Sequence, residues 1–323
     1  METNKHGLSR NIPEAVRREI RVRSKFGCVV CRSAVCQYEH IDPEFSESTE
    51  HDPDCICLLC GHCHDKVSRG LLSKSTVEER YKEVQASDAV KPPSDNLHLD
   101  SNQLTVTLGS CIFHGAKTLI EMNGETALAI EPPEDGASFP TLTGRFMDAS
   151  GNVLLGIDRN IWSGPSTAWD VKVKGRTITV HPARGVVGLK LRVEPPSQIA
   201  VEVLDMRIGE THLELRSDLL SVGRISPDEQ IYVRIERMEC HLAEIGVQVD
   251  AANFRIPQLG DLKIVGGEGL DLSDTGIRLA VGSPMFSIGG LHLEHATRTE
   301  TLVLSIPFEK DSIGYRYVLP PRL

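Results

Sequence analysis

Two textures of hydrophobic patterning divide the chain. Up to about residue 85 the apolar residues are sparse, at helical spacing or in short runs; beyond residue 97 they alternate with polar residues at period two. In the first texture Ala15, Val16 and Ile20, continued by Val22 to Phe26, form a stripe that predicts a helix to about residue 26, ended by Gly27. Pro13 suits its first turn, where a missing N–H costs nothing. Tyr38–Ile41 predicts a short strand, and Ile56, Leu58 and Leu59 predict a second, with an acidic polar loop at 44–54 between them. A short helix is expected from His64 to about Arg69, ending at Gly70. Another runs from Ser75 to about Gln85, with Ser75 and Glu78 as a capping box. Residues 86–96, ASDAVKPPSDN, have linker composition.

In the second texture Leu104–Leu108, Thr177–Val180 and Gln230–Ile235 alternate cleanly, with turn signals such as Asn123-Gly124 and Lys174-Gly175 between strands. The expected class is α+β: an N-terminal unit, residues 1–90, then a large all-β region, residues 97–323, sandwich or solenoid-like, dividing near 217–227. The glycine rhythm between Leu262 and Glu294 fits either stacked solenoid turns or antiparallel hairpins. Trp162 and Trp169 are read as packing residues, and His114, His181, His212, His241, His292 and His295 as surface or satisfied core residues.

Charge changes this picture. The net charge is −10, yet residues 1–85 hold 13 Lys and Arg against 14 Asp and Glu, so −9 falls in the remainder. A protein coating nucleic acid with its whole surface is excluded. Within the first part Arg10, Arg17, Arg18, Arg21, Arg23 and Lys25 form a basic run, either a solvated helix face or a phosphate-contacting edge. No apolar run approaches the ~20 residues of a membrane span, and METNKHGLSRNIPE lacks a secretory h-region. No membrane partner and a cytoplasmic location are expected.

Seven of the nine cysteines lie between Cys28 and Cys63, which reads as metal binding rather than a disulfide scaffold. Cys28-x2-Cys31 and Cys60-x2-Cys63 have the spacing of one tetrahedral zinc site. Cys57-x2-Cys60, Cys36, Cys55 and His62 compete for a corner; the Leu58-Leu59 strand delivering Cys60 favours Cys60 and Cys63. A zinc ion would also supply folding energy to a segment with little apolar surface.

Phe26-Gly-Cys-Val-Val-Cys31, Tyr38-Glu-His-Ile-Asp-Pro43, His51-Asp-Pro-Asp54 and Leu58-Leu-Cys-Gly-His-Cys-His64 together resemble the HNH endonuclease family. The resemblance covers about residues 10–85. It implies a treble-clef ββα-metal fold, with His40 as general base and Glu39 and His64 as ligands of a catalytic Mg²⁺ or Mn²⁺. It implies a nucleic-acid substrate, double-stranded DNA first, cut by phosphodiester hydrolysis in a setting such as restriction or phage defence. His51 stands where the family often has a loop histidine that orders the site, although an isolated loop histidine also reads as bland.

One position departs from the family. Cys55 stands where the family carries Asn, and a thiolate suits softer metals than Mg²⁺. Either Cys55 faces away, or Asp52 or Asp54 supplies the missing oxygen, or the site is impaired. The alternative function is therefore a zinc scaffold that binds nucleic acid or protein without cutting. The acidic β region is expected to bind a protein, a small ligand or another copy of itself, which would make the chain oligomeric.

Overall fold

A computed structural model describes residues 3–225 throughout and, beyond them, strand segments between 230 and 306. Two compact units divide the chain: Met1–Asn96 with Ile161–Val187, and Leu97–Asn160 with the residues from Gly188 on. The β region read as continuous from residue 97 thus gives up one excursion to the N-terminal unit. Among the described residues no helix is long and apolar enough to cross a membrane.

The first unit is built on α1 (Glu14–Arg23), β1 (Cys36–His40), β2 (Ile56–Cys60), α2 (Gly61–Ser68), α3 (Lys74–Ala86) and β3 (Ser94–Asn96). β1 and β2 are antiparallel, with Tyr38 opposite Leu58, Glu39 opposite Cys57 and His40 opposite Ile56. All five residues of β2 are buried, because helices cover both faces. Ile12, Ile20, Ile56 and Leu58 pack with Tyr38 on the α1 side. Cys57, Leu59, Val77, Tyr81 and Val84 pack on the α2 and α3 side. Val77, Tyr81 and Val84 recur at helical spacing on α3, each burial contributing roughly 1.5–3 kcal/mol.

The helix ends differ from the sequence reading. α1 stops at Arg23, three residues early, because Lys25 and Phe26 adopt left-handed backbone at φ 46° and 60°. Gly27 serves close approach instead: a Cβ there would lie 2.9 Å from the Cβ of Pro93. Pro13 is the N-cap, not a first-turn residue. The cap of α3 is Ser73, accepting from the Thr76 N–H at 3.1 Å, which displaces the expected Ser75–Glu78 box. α2 begins at Gly61, so both Cys63 and His64 lie within its first turn.

Two buried arginines fasten this unit. The Arg32 guanidinium donates to the carbonyls of Ser24, Lys25, Cys28 and Lys91 at 2.7–3.3 Å, tying the turns that follow α1 to the segment that follows α3. Arg21 forms a two-pronged pair with Asp170, at 2.8 and 2.7 Å, and Asp170 is fully buried. Asp170 belongs to the hairpin Asp170–Lys174 and Thr177–His181, which is how Ile161–Val187 comes to join α1. Arg18 lies 4.0 Å over the Trp169 ring, while Trp162 is core. β3 pairs with Ile161–Ser163, so the end of the expected linker is a strand.

Among its described residues the second unit has strands as its regular elements. Its early strands form meanders, Thr118–Met122, Glu125–Glu131, Thr141–Met147 and Val153–Asp158 in one, Leu189–Glu194, Gln198–Ile208, Thr211–Arg216 and Leu219–Ile225 in another. The Asn123-Gly124 turn has both residues at positive φ, as its sequence predicts. Phe113, Leu119, Phe146 and Leu204 are among its buried residues. The division expected near 217–227 is not a break in the sheet, since Leu219–Ile225 pairs with Gln230–Ile235. In the glycine-rich stretch Met285–Ile288 pairs antiparallel with Leu291–His295, as the strands of a hairpin do; residues 264–270, 274–275, 282–284 and 289–290 lie outside the described residues.

Candidate metal and catalytic site

The two cysteine pairs meet as their spacing requires. The Sγ atoms of Cys28, Cys31, Cys60 and Cys63 all lie within 4.8 Å of one another, with Cys31 and Cys60 at 3.5 Å. Zn–S bonds of about 2.3 Å place sulfurs roughly 3.8 Å apart in a tetrahedron, so four thiolates here could hold one zinc ion. Cys36 turns instead to the Ser33 carbonyl, 3.0 Å away, and Cys57 stays in the core. Cys60 caps α2, its sulfur accepting from the Cys63 N–H at 3.4 Å.

The electrostatics agree with a cation site. Burial works to raise the Cys28 pKa, but backbone N–H groups of Cys60, Cys31 and Val30 outweigh it and hold the thiol below its usual range. Cys31 is pushed up to about 11, by burial first and then by the charge on Cys28. Cys63 is pushed up for the same reasons. One thiolate suppresses the ionisation of its neighbours, and a divalent cation removes that conflict.

A second centre lies apart from the sulfurs. A cavity of about 500 Å³ is bordered by Glu39, His40, Glu44, Phe45, His64 and Lys74, with Arg10, Ile12, Arg17 and Tyr38 on its walls. Successive residues of a strand point to opposite faces. Glu39 therefore turns toward α2 and α3, where its Oε2 lies 3.1 Å from Nε2 of His64. His40 turns the other way, against Phe45 and His51, with ring centroids 5.4 and 5.6 Å away. Both reach the same cavity because β1 ends there.

The Nε2 atom of His40 is buried and has no hydrogen-bond partner among the described residues. Burial first, then the charges of His51, Lys74 and Arg10, lower its pKa to about 4. The imidazole is consequently neutral at ordinary pH and available to accept a proton. His51 is positioned rather than bland: its Nε2 lies 2.8 Å from the Ser9 carbonyl, to which it can only donate. That bond, with Asn4 donating to the carbonyls of Phe45 and Ser48, stitches the N-terminal segment to loop 44–54 and brings Arg10 and Ile12 to the cavity.

Several expected residues lie elsewhere. Cys55 does not line the cavity; its sulfur is 3.6 Å from Oδ2 of Asp52, and burial and nearby carboxylates raise its pKa. Asp52 and Asp54 do not line it either, and Asp54 pairs with Arg23. Of the basic run only Arg10 and Arg17 border the cavity. Arg21 is buried on Asp170, Arg18 stacks on Trp169, and Lys25 pairs with Asp88. Lys74 and Glu44 border it unannounced: one is the first residue of a helix and the other one acid among many, and neither type or spacing marks a site.

No family model, no curated protein and no solved structure matches the chain.

Proposed function

We propose that the first unit is an HNH-type, treble-clef ββα-metal endonuclease module that hydrolyses phosphodiester bonds of nucleic acid, double-stranded DNA foremost. The observation that carries this reading is that His40, whose buried Nε2 has no hydrogen-bond partner among the described residues, borders one cavity with Glu39 and His64. In it, zinc on the four cysteines fixes the start of α2, and with it His64. Glu39 and His64 are already in contact and offer the oxygen and nitrogen donors that suit Mg²⁺ or Mn²⁺. Such an ion, when bound, would stabilise charge on the phosphoryl oxygens and the leaving oxygen.

The chain's own groups do the rest. Neutral His40 takes a proton from the attacking water at Nε2. A pKa near 4 makes it a weak base while the cavity is empty of substrate. A phosphate beside Lys74 and Arg10 offsets two of the charges that depress it and moves it toward working pH. Arg10 and Arg17 wall the cavity where the backbone of the substrate would lie. The acidic β unit adds no affinity for DNA of its own and serves a protein partner, a small ligand or a second copy of the chain. Attachment of a nuclease to such a unit fits restriction or phage defence.

The placement of Cys55 against Asp52 favours one second reading: a zinc scaffold that binds nucleic acid or protein without hydrolysis. Incubation of plasmid DNA with the full chain and Mg²⁺ or Mn²⁺ separates the two. Nicked and linear product, lost in His40→Ala at unchanged zinc content, is the outcome expected; uncut plasmid with every divalent metal points to the scaffold.

A further inference from the structure

Glu39 is the acid on which the nuclease reading rests, and it already has a cation. The ammonium of Lys74 lies 3.6 Å from Oε1 of Glu39 and 3.1 Å from Oε1 of Glu44, and it donates to the His40 carbonyl at 2.9 Å. Two carboxylates and a backbone carbonyl around one positive charge are the surroundings that a hard divalent ion takes. Glu39 is only 14% exposed, so its charge calls for a close counter-ion, whereas Lys74 is 31% exposed on a flexible four-carbon stem. Lys74 therefore neutralises the part-buried carboxylate from a stem that can carry its charge to a second anion.

We infer that Lys74 is a built-in cation that competes with the divalent metal for Glu39, and that a substrate phosphate draws it away, so that metal and nucleic acid load the site together. The inference rests on the nuclease reading and adds to it an order of assembly. A divalent ion at Glu39 and His64 would meet a like charge next to it in a half-buried site, where repulsion is poorly screened. Lys74 needs another anion before it can withdraw. Glu44 already holds it at 3.1 Å, but that carboxylate is 64% exposed and so a weak, well-screened partner. A phosphate in the cavity, flanked by Arg10 and Arg17, supplies a second anion within the same walls. Coupling of this kind is reciprocal: whatever factor phosphate adds to metal affinity, metal adds to phosphate affinity. A protein built so keeps its hydrolytic metal site weak until substrate arrives.

The test is Mn²⁺ binding to the zinc-loaded full chain, followed by electron paramagnetic resonance. It is run with the metal alone and with a phosphorothioate DNA duplex that resists cleavage. Lys74→Gln should bind Mn²⁺ alone more tightly, by about tenfold, within the usual ~5–150-fold range of couplings between sites. Lys74→Arg, which keeps the charge, should bind Mn²⁺ alone as the parent does. The duplex should tighten Mn²⁺ binding to the parent by a similar factor and leave Lys74→Gln nearly unchanged. Equal Mn²⁺ affinity in the parent and Lys74→Gln, or an equal gain from the duplex in both, would overturn the inference alone. Absence of Mn²⁺ binding in both proteins would overturn it together with the metal-dependent reading.

Discussion

The two units solve the problem of staying folded by different means. Of the twelve largest fully buried side chains among the described residues, nine lie in the second unit and three, Ile20, Ile56 and Leu59, in the first. The second unit rests on apolar burial over many short strands. The first replaces that burial with four convergent thiols, a buried Arg21–Asp170 pair and an arginine donating to backbone carbonyls. Polar fastenings of this kind hold side chains at a cavity edge without filling it. They also tie stability to metal and pH, which an apolar core does not. The candidate site lies where the apolar core is thin.

Removal of zinc should break this contrast most visibly. A structural zinc contributes apparent free energies of about 10–16 kcal/mol in small modules. Chelation, or Cys28→Ser with Cys60→Ser, should therefore unfold the first unit and leave the strand signal of the second, as read by circular dichroism and proteolysis. Retention of the three helices in zinc-free protein would contradict the account of how this unit is stabilised.

Arg32→Met comes next. It removes a donor from four carbonyls, two of which, those of Ser24 and Cys28, keep a backbone partner, and should destabilise the first unit by about 2–4 kcal/mol in denaturant unfolding, the cost of leaving buried acceptors unsatisfied. Arg32→Lys should recover little, because one ammonium cannot reach the same fork of acceptors.

His40 sharpens the comparison through pH. Its folded pKa, about 4, lies below the ordinary histidine value of 6.5, so the unfolded chain binds the proton more readily. Its contribution is fully present above pH ~6.5 and is lost as pH falls toward about 4, amounting to roughly 2–3 kcal/mol. His40→Phe should flatten that part of the stability profile of the first unit. An unchanged slope between pH 6.5 and 4 would assign the acid sensitivity to other groups.

The smallest effect is expected at Cys55. It is outside the cavity lining, so Cys55→Asn should alter stability by less than about 1 kcal/mol and cleavage by less than about threefold. A large gain in Mg²⁺-dependent rate would mean that this position reaches the metal after all.

How much of this was legible in the sequence follows from the range of each interaction. The paired cysteines and the Glu39-His40 strand were readable because their partners lie within one knuckle or one hairpin. So were the strands of the second unit, where alternation and turn residues are local signals. The excursion Ile161–Val187 was not, because the Arg21–Asp170 pair spans 149 residues and a lone aspartate in a β hairpin carries no mark of its partner. The end of α1 was misplaced because Lys25 and Phe26, not glycine, take the left-handed backbone. The basic run read as one surface, yet Arg21 is buried and only Arg10 and Arg17 reach the cavity. Glu44 and Lys74 were missed because side-chain convergence from a loop and a helix start has no period.

The central claim is that His40 is the base of a metal-dependent phosphodiester hydrolysis, and one measurement addresses it most directly. Single-turnover cleavage of duplex DNA by zinc-loaded full chain, at saturating Mn²⁺, is compared with that of His40→Ala carrying the same zinc. Loss of a positioned general base costs ~10²–10⁴-fold in rate, and a fall of that size is the result predicted. Equal rates in the two proteins would contradict the account.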